Sequence, residues 1–165
     1  MHREDAIIMN IHEKLELFSK SHKNEMLIKI YLLECCKKYE KYRSKGTLTK
    51  GLVIAKRFLR GYVKWKELHD IEWFLEGEAF GLEFYGMGET SYRPKLDKYQ
   101  RLDLIKVRLS CCLSHRESIV YLTNLAYFID SVFSYVGNSS NGIPPVKYAQ
   151  FMCPNIFRKR FGKNA

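Results

Sequence analysis

The sequence predicts an all-α fold, a single-domain helical bundle of about six to seven helices over residues 1–165. Three observations carry that expectation. Apolar residues recur at helical spacing along almost the whole chain, and Gly, Ser, Thr or Pro marks the breaks. Residues suited to capping stand where several of those runs begin. The composition is 46% apolar and 14% aromatic, with only 4 Pro and 10 Gly, which suits one packed core rather than a disordered chain. At 165 residues folding buries roughly 70% of the unfolded chain's surface, enough for one ordinary domain.

The first predicted helix covers 4–18, with Ile7, Ile8, Ile11, Leu15 and Phe18 on one side. The second, 25–43, turns Leu27, Ile30, Tyr31, Cys35 and Tyr42 inward and Lys29, Lys37, Lys38 and Lys41 outward. A third begins at Thr47 or Thr49, buries Leu52, Ala55, Phe58 and Leu59, and stops at Gly61, where a left-handed terminal residue is wanted. Its outer side is basic through Lys50, Lys56, Arg57 and Arg60. A long helix over 64–85 sets Leu68, Ile71, Leu75 and Leu82 on one stripe at about 100° per residue. Gly77 and Gly81 weaken that helix and imply a close neighbouring backbone or a kink.

Residues 86–94, with Gly88 and Pro94, form the longest predicted internal loop and present Tyr92 and Arg93. A fifth helix is expected over 95–113, despite a strand-like alternation at 105–111. Ser114 and Glu117 make a capping box for a sixth helix that runs to 136. This helix is apolar on nearly every side and is the natural centre of the bundle. Asn124, Asp130, Ser131 and Ser134 interrupt it too often for a membrane span, which needs ~20 mostly apolar residues. Beyond a turn-rich 137–145, Pro144 and Pro145 can start a short last helix, and the tail over 155–165 is basic.

The net charge is +10, yet the two signs are sorted along the chain. Residues 20–66 hold fourteen Lys and Arg against three acids. Glu67, Asp70, Glu72, Glu76, Glu78, Glu83 and Glu89 then follow with no Lys or Arg among them. Such segregation suits a protein partner with its own charge pattern as well as it suits nucleic acid. The N-terminal stretch lacks the features of a secretory signal, so the expected location is the cytoplasm, with no membrane association. Of five cysteines, four form the adjacent pairs Cys35-Cys36 and Cys111-Cys112, a spacing that fits reduced thiols packed in helix faces.

No motif announces a reaction. His69, Glu72, Glu76 and Glu83 share one side of the 64–85 helix and could converge on a metal. A carboxylate-bridged di-metal bundle needs Glu-x-x-His on two helices, however, and this chain has a single His-x-x-Glu. Carboxylates that are solvated or paired with lysines are therefore expected, with no metal and no cofactor. Cys111 and Cys112 stand near His115 without a third orienting group. A glycine-rich phosphate loop, HExxH and GxSxG are all missing from the sequence, so a non-enzymatic role is expected. The basic second and third helices, with Arg158-Lys159-Arg160 and with Tyr39, Tyr42, Tyr62 and Phe161, leave nucleic-acid binding open.

The runs Tyr31-Leu-Leu-Glu-Cys-Cys-Lys-Lys-Tyr-Glu, Ala55-Lys-Arg-Phe-Leu-Arg-Gly and Glu72-Trp-Phe-Leu-Glu-Gly-Glu-Ala-Phe occur in that order. Their layout resembles that of small all-helical immunity proteins of bacterial polymorphic toxin and contact-dependent inhibition systems. The resemblance implies a cytoplasmic inhibitor that binds a cognate toxin domain stoichiometrically and needs no turnover. Charge-complementary surfaces would speed that association. The expected contact region is Glu72, Glu76, Glu83 and Glu89, with Tyr92 and Arg93 of the adjoining loop. A basic helical nucleic-acid-binding protein is the alternative.

Overall fold

Helical periodicity becomes five α-helices in the residues that the computed structural model describes, 22–87 and 95–137. They are α1 (His22–Lys38), α2 (Thr47–Leu59), α3 (Trp65–Met87), α4 (Lys98–Cys111) and α5 (His115–Gly137), with a 3-10 turn at Glu40–Tyr42 between α1 and α2. No strand occurs among the described residues, so the all-α expectation holds. The count of six to seven helices is not matched. The helix expected over 4–18, the one after Pro144 and the tail over 155–165 lie outside the described residues, as do Glu89, Tyr92 and Arg93.

Helix α5 is the centre. It packs along most of α3 and also touches α1, α2 and α4. Leu122, Leu125, Phe128, Ile129, Val132 and Phe133 are buried on it, while Val120 points to solvent. Ser114 caps it as expected, its Oγ accepting from the Glu117 N–H at 3.1 Å. The buried Ser118 hydroxyl donates to the Ser114 carbonyl at 2.7 Å, so no polar atom is stranded there. By length and composition α5 could cross a membrane, and 56% of its most apolar stretch is buried inside this fold.

Two expectations about the first half need correction. Helix α1 ends at Lys38 rather than 43, because the chain turns to insert Tyr39, Tyr42 and Arg43 into the body of the protein. Its inward face is also rotated by about one position. Ile28, Tyr31, Leu32, Cys35 and Cys36 are buried, whereas Leu27 and Ile30 are exposed. Lys29, expected outside, is buried; it pairs with Glu25 at 3.0 Å and lies 5.7 Å from the centre of the Tyr135 ring. The aliphatic stem supplies packing while the ammonium keeps a counter-charge and an aromatic face. Cys112, expected in a helix face, instead caps α4 in a left-handed conformation and is exposed.

Helix α2 is not capped by Thr47 or Thr49. Gly46, at φ 79°, occupies the cap position, and the helix starts at Thr47. Gly61, at φ 78°, follows the end of α2 as expected. Helix α4 opens with a full capping box from Asp97 and Gln100, which secures a helix where the 105–111 alternation also suited a strand.

Glycine marks a close approach, though not where the sequence suggested. Nothing lies within 4 Å of a Cβ built on Gly77, and only the Gln100 side chain, at 3.8 Å, approaches one on Gly81. On Gly51 of α2 the same atom would meet Ile71 Cγ2 at 2.8 Å and the Phe133 ring at 3.0 Å. Helix α2 therefore rests directly on α3 and α5 at Gly51. Gly51→Ala is expected to destabilise by about 1–2 kcal/mol despite the gain in helix propensity, because the methyl group overpacks the core. Gly77→Ala is expected to stabilise by about 0.5–1 kcal/mol. Urea unfolding of the two variants checks the opposite signs.

Candidate functional site

Helix α3 carries two opposed apolar stripes. Leu68, Ile71, Leu75, Ala79 and Leu82 form the inner one and are buried. At about 100° per residue, Trp73, Gly77, Phe80, Phe84 and Met87 fall on the opposite side. Trp73 is 65% exposed, and Phe80, Phe84 and Met87 are exposed with it. Phe74 stands beside Trp73 with ring centres 5.7 Å apart. A groove of about 760 Å³ runs past Trp73, Phe74, Gly77 and Phe80, with Lys45 and Lys50 at its rim. The open space above Gly77 is part of it. Burying this stripe would gain roughly 25 cal/mol for each Å² of apolar surface, so leaving it in water has a standing cost.

The carboxylates occupy the flanks between the stripes. Of the acidic block, only Glu67 and Asp70 are exposed among the described residues. Glu78 forms a buried ion pair with Arg43, and its other oxygen accepts from Thr47 Oγ1 at 3.3 Å. Glu83 accepts from the Tyr127 hydroxyl. Glu72 and Glu76, one turn apart, turn toward α5 and meet Asp130, with carboxylate oxygens of all three within 4.8 Å of one another. Glu72, Glu76 and Glu83, expected as partner contacts, thus share one half-buried flank with an internal neighbour each. No Lys or Arg pairs with these three among the described residues.

Asp130 is the unusual member of this group. Burial, first, and then its hydrogen bond to Glu72 and the Glu72 and Glu76 charges push its carboxyl up to about 8. Its Oδ1 has no hydrogen-bond partner in the protein. Burial and the two neighbouring carboxylates thus favour the protonated form of Asp130. His69 adds Nδ1 at 3.5 Å from Glu72 and stacks on Trp65 with ring centres 4.6 Å apart. Three carboxylate oxygens are also a donor set for a hard divalent cation, and proton and cation would compete for the same charge. Tyr127, held by burial and by Glu83, is pushed up to about 12.

The segment between α1 and α2 is pinned from both sides. Arg43 reaches Glu78 of α3, the Ser44 N–H donates to Asp103 of α4 at 2.8 Å, and Lys106 donates to Ser44 Oγ at 3.0 Å. Burial raises the Asp103 carboxyl against the lowering effect of Ser44. Tyr42 faces Cys111 Sγ at 3.7 Å, whereas the His115 ring packs edge-on against Tyr85 at 6.5 Å. Cys111 and His115 thus keep separate neighbours.

No known protein family, curated protein or solved structure matches the chain. The reading of function therefore rests on the site itself and on the sequence resemblance. Sequence reasoning placed Glu72, Glu76 and Glu83 on one side of a helix, and the structure does bring the first two together. It missed Asp130 as the neighbour of Glu72 and Glu76 and Arg43 as the partner of Glu78, and it missed the outer aromatic stripe.

Proposed function

We propose that this protein acts by stoichiometric binding to another protein, with the outer aromatic stripe of α3 as the contact surface. The observation that carries the reading is the exposure of Trp73, Phe80, Phe84 and Met87 along one face, with Phe74 beside Trp73, next to a groove. Trp and other large aromatics dominate binding energy where they are buried against a partner. No nucleophile, base and orienting group converge among the described residues, so the surface binds and has no evident means of turnover. Combined with the resemblance described above, the reading names the partner: a cognate toxin domain of a bacterial polymorphic toxin system, neutralised in the cytoplasm by a single-domain immunity protein. Glu89, Tyr92 and Arg93, which follow Met87 in the sequence, belong to the proposed contact as well.

The test is co-expression with the toxin encoded immediately upstream. The wild-type chain is expected to restore growth, and Trp73→Ser combined with Phe84→Ser is expected to weaken the complex by about tenfold or more. Both side chains are exposed, so the thermal midpoint should stay within a few degrees. Failure of the wild type to rescue rejects the toxin partner. Full rescue by the double variant moves the contact elsewhere.

A second reading, nucleic-acid binding, is favoured by one corner of the molecule. Tyr62 is 72% exposed there among Arg57, Arg60, Lys64 and Lys66, the mixture of cations and a stacking ring that single strands use. RNA binding that falls steeply between about 50 and 200 mM salt would support it.

A further inference from the structure

A second cleft, of about 620 Å³, opens where the outer face of α4 meets the end of α3 and the start of α5. Arg101, Leu104, Ile105 and Arg108 recur at helical spacing, so α4 presents one row in which two guanidiniums flank an apolar centre. Lys95 and Leu96 precede the row, and Tyr85 and His115 form the far wall. Leu96 and Leu104 are buried in the floor, and Ile105 is 53% exposed above them. Among the described residues no carboxylate lines the cleft. Lys95, Arg101 and Arg108 make no ion pair among the described residues. Three cations around an apolar floor, none of them in an ion pair among the described residues, distinguish this cleft. The N-terminal end of α5 adds its partial positive charge.

We propose that this cleft binds a nucleoside polyphosphate. Arg101, Arg108 and Lys95 hold the phosphates, and the base lies on Leu96, Leu104 and Ile105 against Tyr85. Three permanent cations match the several negative charges of a polyphosphate better than the single charge of a peptide carboxylate, and the arginine forks fit phosphate oxygens two at a time. The apolar floor and aromatic wall give a flat heterocycle somewhere to lie, and the volume falls within the usual range for small-molecule sites, roughly 300–1,000 Å³. This assignment is independent of the docking role of α3.

Calorimetric titration of the full chain with ATP, with sodium tripolyphosphate and with a short single-stranded RNA tests it. ATP is expected to bind more tightly than tripolyphosphate, because the base adds apolar contact. Arg101→Glu with Arg108→Glu is expected to weaken ATP by about tenfold or more. The same charge change on α2, Lys56→Glu with Arg57→Glu, should alter it by less than about twofold at 150 mM salt. All four side chains are exposed, and circular dichroism confirms that each variant is folded. Equal loss in the two double variants would reduce the effect to net charge and overturn the site. Tripolyphosphate binding as tightly as ATP would remove the nucleotide. RNA binding more tightly than ATP, and lost on Arg101→Glu with Arg108→Glu, would replace the nucleotide with a nucleic-acid strand.

Discussion

Arg43→Ala is expected to cost about 3–5 kcal/mol of stability, measured by urea unfolding. The Arg43 and Glu78 side chains are only 7% and 13% exposed, so the substitution leaves a carboxylate shut in the protein without its counter-charge. Thr47 offers Glu78 one long hydrogen bond at 3.3 Å, which is too little to replace a guanidinium. The loss also frees the segment that Ser44 ties to Asp103, and the start of α2 with it. Replacing both partners by apolar groups of similar volume, Arg43→Met with Glu78→Leu, should recover most of the stability, because the desolvation cost of the two charges disappears together. The double-mutant cycle then gives a large coupling between the two positions. A cost below about 1 kcal/mol for Arg43→Ala would mean that water reaches the pair and that it behaves as a surface salt bridge.

How far the fold could be read from sequence differs element by element. The inner stripe of α3, the glycine stop of α2 and the central place of α5 were all legible, the first from its period alone and the other two because a periodic pattern met a stop or capping signal. Helix α1 was misjudged because its run from Met26 to Cys36 is apolar at most positions. Two adjacent faces are then equally plausible, and contact with α5 decides between them. The outer stripe of α3 was legible in principle. A helix with apolar residues on opposite sides has a weak one-sided pattern, and that weakness points to a second surface needing cover. The fate of the acidic block was not legible. Charges along one helix do not say what the neighbouring helix holds, and the partners Arg43 and Asp130 come from distant parts of the chain. Asp130 gave one hint, being an ionisable residue inside the most apolar helix.

Asp130→Asn is expected to stabilise the protein by about 3 kcal/mol at pH 8 and above, roughly 6–12 °C in Tm, and to change it by less than about 0.5 kcal/mol at pH 4. The sign follows from the proton. Burial and the neighbouring Glu72 and Glu76 hold the folded-state carboxyl at about 8, against 3.8 in the unfolded chain. Below the lower value both states are protonated and Asp130 has no cost. Between the two values unfolding releases a proton, so stability falls as pH rises; above about 8 a charge must sit beside two others and the cost is complete. Each pH unit in that window is worth about 1.4 kcal/mol for a fully sheltered group, and solvent reaching this half-buried cluster leaves about half. An amide keeps the shape and can donate to Glu72 without ever ionising. The variant should therefore lack the decline, and the difference between the two stability curves isolates Asp130 from every other titrating group. A difference that stays flat from pH 4 to 9 would mean that something other than a proton neutralises the triad. A divalent cation is the chemical alternative, and repeating the curves with a chelator would then lower the stability of the wild type alone.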